Sequence, residues 1–302
     1  MLSPNSGGGT EVALFFNAGP RLEAEEFRLI RDLVHGFCGI RLADESRLAV
    51  ERRLGERLDG LGLQNFAEYC ELLSQTGRGQ GELEHAVDLL TTNETYFFRE
   101  RPQLQAFENE VLPQLRELCA LRRSLTVWSA GCSTGEEVYT LAILIARSGL
   151  FAGWDVRVFG NDISRRVLKT ARRGVYRGSS FRAMPEGWKA HFIKTPDGYM
   201  VESKVRSMCH FGHFNLLDRG RIALLGRVDA IFCRNVMIYF GDEARRSLID
   251  SFYDRLTPGG FLMLGHSESL LHLSTAFELA HLTGDLAYRK PSQLPFVPRG
   301  AS

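Results

Sequence analysis

A short, almost wholly apolar run, Leu125-Thr-Val-Trp-Ser-Ala130, passes directly into Gly131-Cys-Ser-Thr-Gly-Glu-Glu137 and then into the apolar stretch 138–146. This strand, glycine turn and helix constrain the fold more than any other feature. A strand buried on both faces reads as continuous apolar sequence, and it needs a crossover helix to return beside a parallel neighbour. The pattern repeats. Val156-Arg-Val-Phe159 reads as a second strand that ends at Gly160-Asn-Asp162, and Ser164 stands where it can cap a helix holding Val167 and Leu168. Val228–Cys233 reads as a third strand. Leu248, Ile249, Phe252 and Leu256 give residues 242–256 a helical apolar face, Thr257-Pro-Gly-Gly260 breaks it, and Phe261–Leu264 is a further strand. Such alternation predicts an α/β domain with a mostly parallel sheet covered on both faces. Residues 176–213 interrupt it, and their glycines and short mixed stretches predict a small inserted β element.

The first third of the chain has a different period. Phe27, Ile30, Val34 and Phe37 recur at steps of three and four, Leu48, Leu54, Leu58 and Leu61 continue the theme, and Gly60 with Gly62 ends that helix. Phe66, Tyr69, Leu72 and Leu73 make another helix, residues 77–81 read as a loop, and Leu83, Val87 and Leu90 begin a last helix. The expected organisation is a flexible leader over 1–19, a helical domain over 20–92, an α/β domain over 93–290 with its insert at 176–213, and a flexible tail over 291–302.

At 302 residues, the chain has room for one large domain or two smaller ones. Its net charge of +1 supplies no field that would gather nucleic acid or an anionic membrane, so any partner must be met by a local patch. Its six cysteines are dispersed, with no CxxC pair and no histidine at zinc-ligand spacing, which fits a reducing cytoplasm and predicts no metal. No run approaches the roughly 18 apolar residues that span a bilayer, so no membrane insertion is expected.

Ligands of open parallel sheets bind beyond the carboxyl ends of the strands, and several polar clusters fall there. Gly131–Gly135 lets a ligand approach the backbone, but it is not a dinucleotide fingerprint. Glu136 and Glu137 disfavour a phosphate and suit ribose hydroxyls, an ammonium or a sulfonium; alternatively they only complement the helix dipole. Asp162 stands where an acid receives ribose hydroxyls, or else it is a turn residue before the capped helix. In Asn93-Glu-Thr-Tyr-Phe-Phe-Arg99, Arg99 can pair with a carboxylate, or the stretch is a linker with packed aromatics. Arg234, Asn235 and Tyr239 are polar groups in an apolar frame that can line a pocket, or Tyr239 is a half-buried core tyrosine. Gly265-His-Ser-Glu268 offers a serine, a histidine and a carboxylate, yet no G-x-S-x-G elbow accompanies them, so a hydrolase triad is not expected. Arg53 and Arg57 are neighbours on one helical face; Asp44, Glu45, Glu51 and Glu56 interleave, so the face is either a docking surface or simply solvated.

Taken in order, Asn93–Arg99, Trp128–Glu137, Asp162-Ile163, Asn215-Leu-Leu217, Phe232–Phe240 and Gly265–Glu268 resemble the chemotaxis receptor methyltransferase (CheR) family over roughly residues 20–290. The resemblance implies a class I S-adenosylmethionine-dependent methyltransferase domain, Rossmann-like with a seven-stranded sheet, behind a small all-α domain. Leu286–Arg289 would supply its antiparallel last strand. It implies cofactor contacts from Asn93, Thr95, Arg99, Glu137, Asp162, Asn215, Leu216, Cys233 and Arg234, with Asn235 beside them, and places Arg99 and Tyr239 nearest the reacting methyl. The implied reaction esterifies glutamate side chains on the cytoplasmic helical domain of chemoreceptors and leaves S-adenosylhomocysteine, with Arg53 and Arg57 docking the acidic substrate helix. Non-catalytic cofactor-binding scaffolds and small-molecule methyltransferases are the alternatives. Some members tether to a receptor's C-terminal peptide through the β insert, but the turn at Lys194–Gly198 looks shorter here, so tethering is not expected.

Overall fold

The computed structural model describes residues 19–292. The expected leader and tail lie outside the described residues, apart from Gly19, Pro291 and Ser292. Among the described residues no helix is long and apolar enough to cross a membrane.

Four helices form the N-terminal unit: α1 (Ala24–Cys38), α2 (Arg47–Leu61), α3 (Phe66–Ser74) and α4 (Arg78–Leu90). Several starts and stops have a local cause. A capping box between Glu23 and Glu26 opens α1, Asn65 accepts the Glu68 N–H to open α3, and left-handed Gly39 and Gly62 close α1 and α2. Phe27, Ile30, Leu54, Leu58, Phe66 and Tyr69 form a closed core. The loop expected at 77–81 is instead the first turn of α4. Gly79 explains it: a Cβ there would lie 2.6 Å from the carbonyl oxygens of Leu72 and Leu73, so only glycine lets α4 start against the end of α3.

Residues 101–118 form a helix that periodicity does not announce, because Pro102 and Pro113 punctuate it. It runs as α5 (Arg101–Ala106), a wide π turn over Phe107–Val111 and α6 (Leu112–Leu118). In the wide turn the Leu112 N–H reaches the Phe107 carbonyl, directly ahead of the proline, whose ring crowds the preceding turn and which lacks an N–H.

The α/β unit then runs β1 (Ser124–Ala130), α7 (Glu136–Ser148), β2 (Asp155–Asp162), α8 (Arg165–Arg173), a small sheet of β3 (Val175–Tyr176), β4 (Phe192–Thr195) and β5 (Gly198–Val201), the single turn α9 (Ser203–Arg206), β6 (Cys209–His213), α10 (Arg219–Ala223), β7 (Val228–Cys233), α11 (Asp242–Arg255), β8 (Leu256–Leu264), β9 (Glu278–Leu282) and β10 (Asp285–Arg289). The large sheet has the order β6-β2-β1-β7-β8-β10-β9. Its first five strands are parallel, and β10 runs antiparallel between β8 and β9. Two boundaries differ from the sequence reading. Residues 209–213, expected inside the insert, are the edge strand β6; it is only partly buried, so its sequence lacks an apolar run. Thr257–Gly260, expected to interrupt, lies within β8 at a bulge opposite Val228–Ala230, where an exposed proline is tolerated.

The two units meet through main chain. Ile40 and Phe240 form an antiparallel bridge, the Arg41 N–H donates to the Tyr239 carbonyl at 2.8 Å, and Asn215 Nδ2 donates to the Phe37 carbonyl at 2.6 Å. Ser164, which caps α8, also donates to Asp88 of α4.

Gly79→Ala should lower unfolding free energy by about 1–3 kcal/mol, since a methyl group must displace backbone. Urea denaturation measures this, and a wild-type midpoint would overturn the close-approach argument.

Candidate active site

The cavity above the carboxyl ends of β1, β2 and β7 has a volume of about 350 Å³. Gly131, at φ 76°, opens its floor: a Cβ there would stand 2.6 Å from Val236 Cγ2. The turn continues through left-handed Ser133, whose N–H donates to Asp162 Oδ2 at 2.8 Å and whose hydroxyl donates to the Asn93 carbonyl at 2.9 Å. Asp162 also accepts the Ser164 N–H at 2.9 Å. These bonds fix the carboxylate at the cavity wall, while burial pushes its pKa up.

The two adjacent glutamates separate. Glu136 is buried away from the cavity and accepts from the Thr134 and Ser180 hydroxyls at 2.6 and 2.8 Å. Glu137 lines the cavity, accepts the Ser129 hydroxyl at 2.8 Å and faces Arg234 Nη1 at 3.3 Å. Burial raises the Glu137 pKa and Arg234 opposes the shift.

The stretch 91–100 crosses the cavity as a strap, and Asn93, Thr95 and Arg99 line it together with Thr91, Thr92, Glu94 and Tyr96. Phe97 anchors the strap inside the insert: it is fully buried among Tyr176, Phe181 and Phe192, and its N–H donates to the Ser180 carbonyl at 2.9 Å. Phe98 and Glu100 take left-handed backbone, φ 60° and 56°, which turns the strap sharply around Arg99. Arg99 Nη1 donates to the Glu94 carbonyl at 3.1 Å.

At the end of β7, Arg234 is buried and donates to the Arg99 carbonyl at 2.6 Å. Its Nε has no partner, and neither has the buried Oδ1 of Asn235. Orphaned polar atoms in a cavity wall are positions for a ligand's own donors and acceptors. Asn215 and Leu216 complete the wall, and Tyr239 lines the cavity while partly exposed.

Cys233 is the one expected cofactor residue absent from the lining; it is fully buried beneath, and burial pushes its thiol well above the usual range. In the trio 266–268, Glu268 turns to backbone amides rather than to His266, so no triad forms. Packed aromatics in this stretch were one of the two readings the sequence allowed; the structure packs Phe97 into the insert, and the same stretch still brings Arg99 to the cavity.

Arg53 lines the cavity and donates to the Leu90 carbonyl at 2.7 Å. Arg57, expected to dock substrate beside it, is not among the lining residues. It makes a two-bond ion pair, 2.9 and 2.6 Å, with buried Glu82, which also accepts the Tyr69 hydroxyl at 2.9 Å. Its charge balances a core carboxylate. Arg57→Ala leaves that carboxylate unpaired and should cost about 3 kcal/mol of stability, read by urea unfolding; an unchanged midpoint would restore Arg57 to the surface reading.

Residues 93–285 match the family described as CheR methyltransferase, SAM binding domain, and residues 25–91 match its all-alpha domain. A chemotaxis protein methyltransferase of Escherichia coli is 35% identical over 90% of this chain and 94% of its own length. Chemotaxis protein methyltransferase 2 of Vibrio cholerae is 34% identical over 88% and 93%, and the Borreliella burgdorferi protein of that name without the numeral is 33% identical over 84% and 92%. The walls described above suit the cofactor of such a domain: carboxylates for its hydroxyls and ammonium, and the orphaned Arg234 Nε and Asn235 Oδ1 for its remaining polar groups. The chain therefore belongs to the CheR methyltransferase family, and its cofactor is S-adenosylmethionine.

Proposed function

We propose that the protein methylates glutamate side-chain carboxylates on the cytoplasmic helical domain of chemoreceptors, forming methyl esters in the cytoplasm. One observation carries this reading: the cavity is lined by the guanidinium-bearing Arg41, Arg53, Arg99 and Arg234, and no histidine is among its lining residues. A hydroxyl acceptor, or an amine protonated at neutral pH, must first give up a proton to become a good nucleophile. A carboxylate, with a reference pKa of about 4.3, is already the nucleophile at neutral pH and is drawn to a mouth rich in arginine. The chemotaxis names of the relatives support the same substrate class.

S-adenosylmethionine, when bound, supplies a methyl group on a sulfonium that departs as a neutral thioether. The chain's residues would have no proton to move, because the acceptor carboxylate is already ionised at neutral pH. The protein's own task is alignment, which can supply roughly 7–11 kcal/mol in well-oriented cases. Glu137 and Asp162 would hold the cofactor's hydroxyls or ammonium, and Asn93, Thr95, Asn215, Leu216, Arg234 and Asn235 would enclose it. Arg99, turned inward by its left-handed neighbours, would fix the cofactor's carboxylate or the incoming one. The half-exposed Tyr239 would steer the acceptor at the mouth. Arg53 remains available at the mouth for an acidic helix.

The test is transfer of labelled methyl to purified receptor cytoplasmic domains, read as base-labile label. Label on the receptors that resists mild base, or no label despite cofactor binding, would reject the reading; the second result would instead identify a cofactor-binding scaffold. Arg99→Ala should cut transfer at least about tenfold, and a folded variant with full turnover would remove Arg99 from the role.

Cofactor affinity should also depend on pH. Burial holds Glu137 and Asp162 above the ordinary carboxylate range, and the ligand favours their ionised forms. Affinity is therefore complete above the raised pKa values and falls as pH descends through them, earlier than an exposed carboxylate would dictate. Calorimetry from about pH 8 to about pH 5 checks this; a flat profile would contradict it.

A further inference from the structure

The turn that follows β7 is held by one side chain from a different part of the chain. Glu268 Oε1 accepts the backbone N–H groups of Val236, Met237 and Ile238 at 2.9, 2.7 and 3.3 Å. Its Oε2 accepts those of Asn235 and Gly265, both at 2.8 Å. Four consecutive amides thus converge on one carboxylate. A run of amides bent around a left-handed residue is an anion-binding concavity, and Asn235, at φ 58°, supplies that bend. The fit leaves nothing spare: a Cβ on Gly265 would lie 2.8 Å from Glu268 Oε2 and 2.9 Å from the Asn235 nitrogen.

The gripped turn is the one that presents Asn235 and Tyr239 to the cavity, whereas Glu268 is not among the lining residues. Arg234, one residue earlier, has separate anchors in Glu137, Glu100 and the Arg99 carbonyl. Loss of the clamp would therefore loosen Tyr239 and, of the cofactor wall, Asn235 alone, and leave the Arg234 side standing.

We infer that Glu268 is a positioning residue for methyl transfer: a built-in anion that fills the amide concavity after β7 and so fixes Tyr239 at the mouth. The inference rests on the proposed reaction, in which Tyr239 steers the acceptor. Glutamine cannot replace the side chain, because its NH2 would confront amide donors where an oxygen accepts, and aspartate is one methylene too short to reach both groups of donors.

The experiment compares wild type, Glu268→Gln, Glu268→Ala, Tyr239→Phe and the Glu268→Gln/Tyr239→Phe double variant. Calorimetry with S-adenosylhomocysteine should show the Glu268 variants losing less in affinity, through Asn235 alone, than they lose in transfer. Transfer to receptor domains should fall at least about tenfold. The double variant should be no slower than the slower single, since both changes act through one group. Acetate should restore transfer by Glu268→Ala, by occupying the vacated concavity, and leave wild type unaffected. Wild-type rates in the Glu268 variants, fully additive losses in the double variant, or lost activity that acetate does not restore would each overturn the inference. Hydrogen exchange keeps it testable apart from the reaction. Amides 236–238 should lose protection in Glu268→Ala and regain it with acetate, even if wild type methylated no receptor; unchanged protection would overturn the clamp itself. If the alanine variant does not fold, Glu268→Gln carries both the rate and the exchange measurements, and wild-type protection at 236–238 in it would overturn the clamp.

Discussion

A single buried guanidinium organises the site. The Arg234 side chain sits at the end of β7 with 2% of its surface exposed, 3.1 Å from Glu100 and 3.3 Å from Glu137. Burying a charge is costly unless partners surround it, and these come from the strap and from α7. The cluster therefore forms only when three segments distant in sequence are in place together. It holds the strap over the sheet by way of the Arg99 carbonyl, and its Nε is buried without a hydrogen-bond partner. Folding and the readiness of the site are linked through this one side chain.

The surroundings share a design in which backbone amides and carboxylates fix the irregular turns. Asp162 holds the turn after β1, Glu268 holds the turn after β7, and Ser180 holds the strap through the Phe97 amide. Such turns at the ends of parallel strands have no ladder partners of their own. Side chains that satisfy them convert loose connections into fixed walls, and a reaction that relies on alignment needs walls of that kind.

Much of this was legible in the sequence. The apolar runs at 125–130 and 228–233 announce central strands because such strands are buried on both faces. Glycine-terminated helices in the first third follow local rules that tertiary contacts do not override. Asp162 and Glu137 were readable because the ends of parallel strands are where ligands bind. What stayed hidden depends on distance in space. The edge strand β6 lacks an apolar run because it is only partly covered. The helix over 101–118 was masked by two prolines, one of them following a π turn that no local pattern encodes. Arg57 and Arg53 look alike along α2, and only the packing of α4 shows that one neutralises Glu82 while the other reaches the cavity. The role of Glu268 depends on a turn thirty-odd residues earlier, a separation that no periodicity reports.

The anchoring of Phe97 has a mechanical corollary. Its ring is the shared centre of an aromatic nest built from β3, β4 and the segment between them, with ring centroids 4.9–5.3 Å away. Arg99 lies two residues along the same taut strip of backbone. A stacked cluster this dense moves as a block rather than yielding ring by ring. The three-stranded insert and the strap segment that carries Arg99 are thus packed as one unit, so that the position of one sets the position of the other.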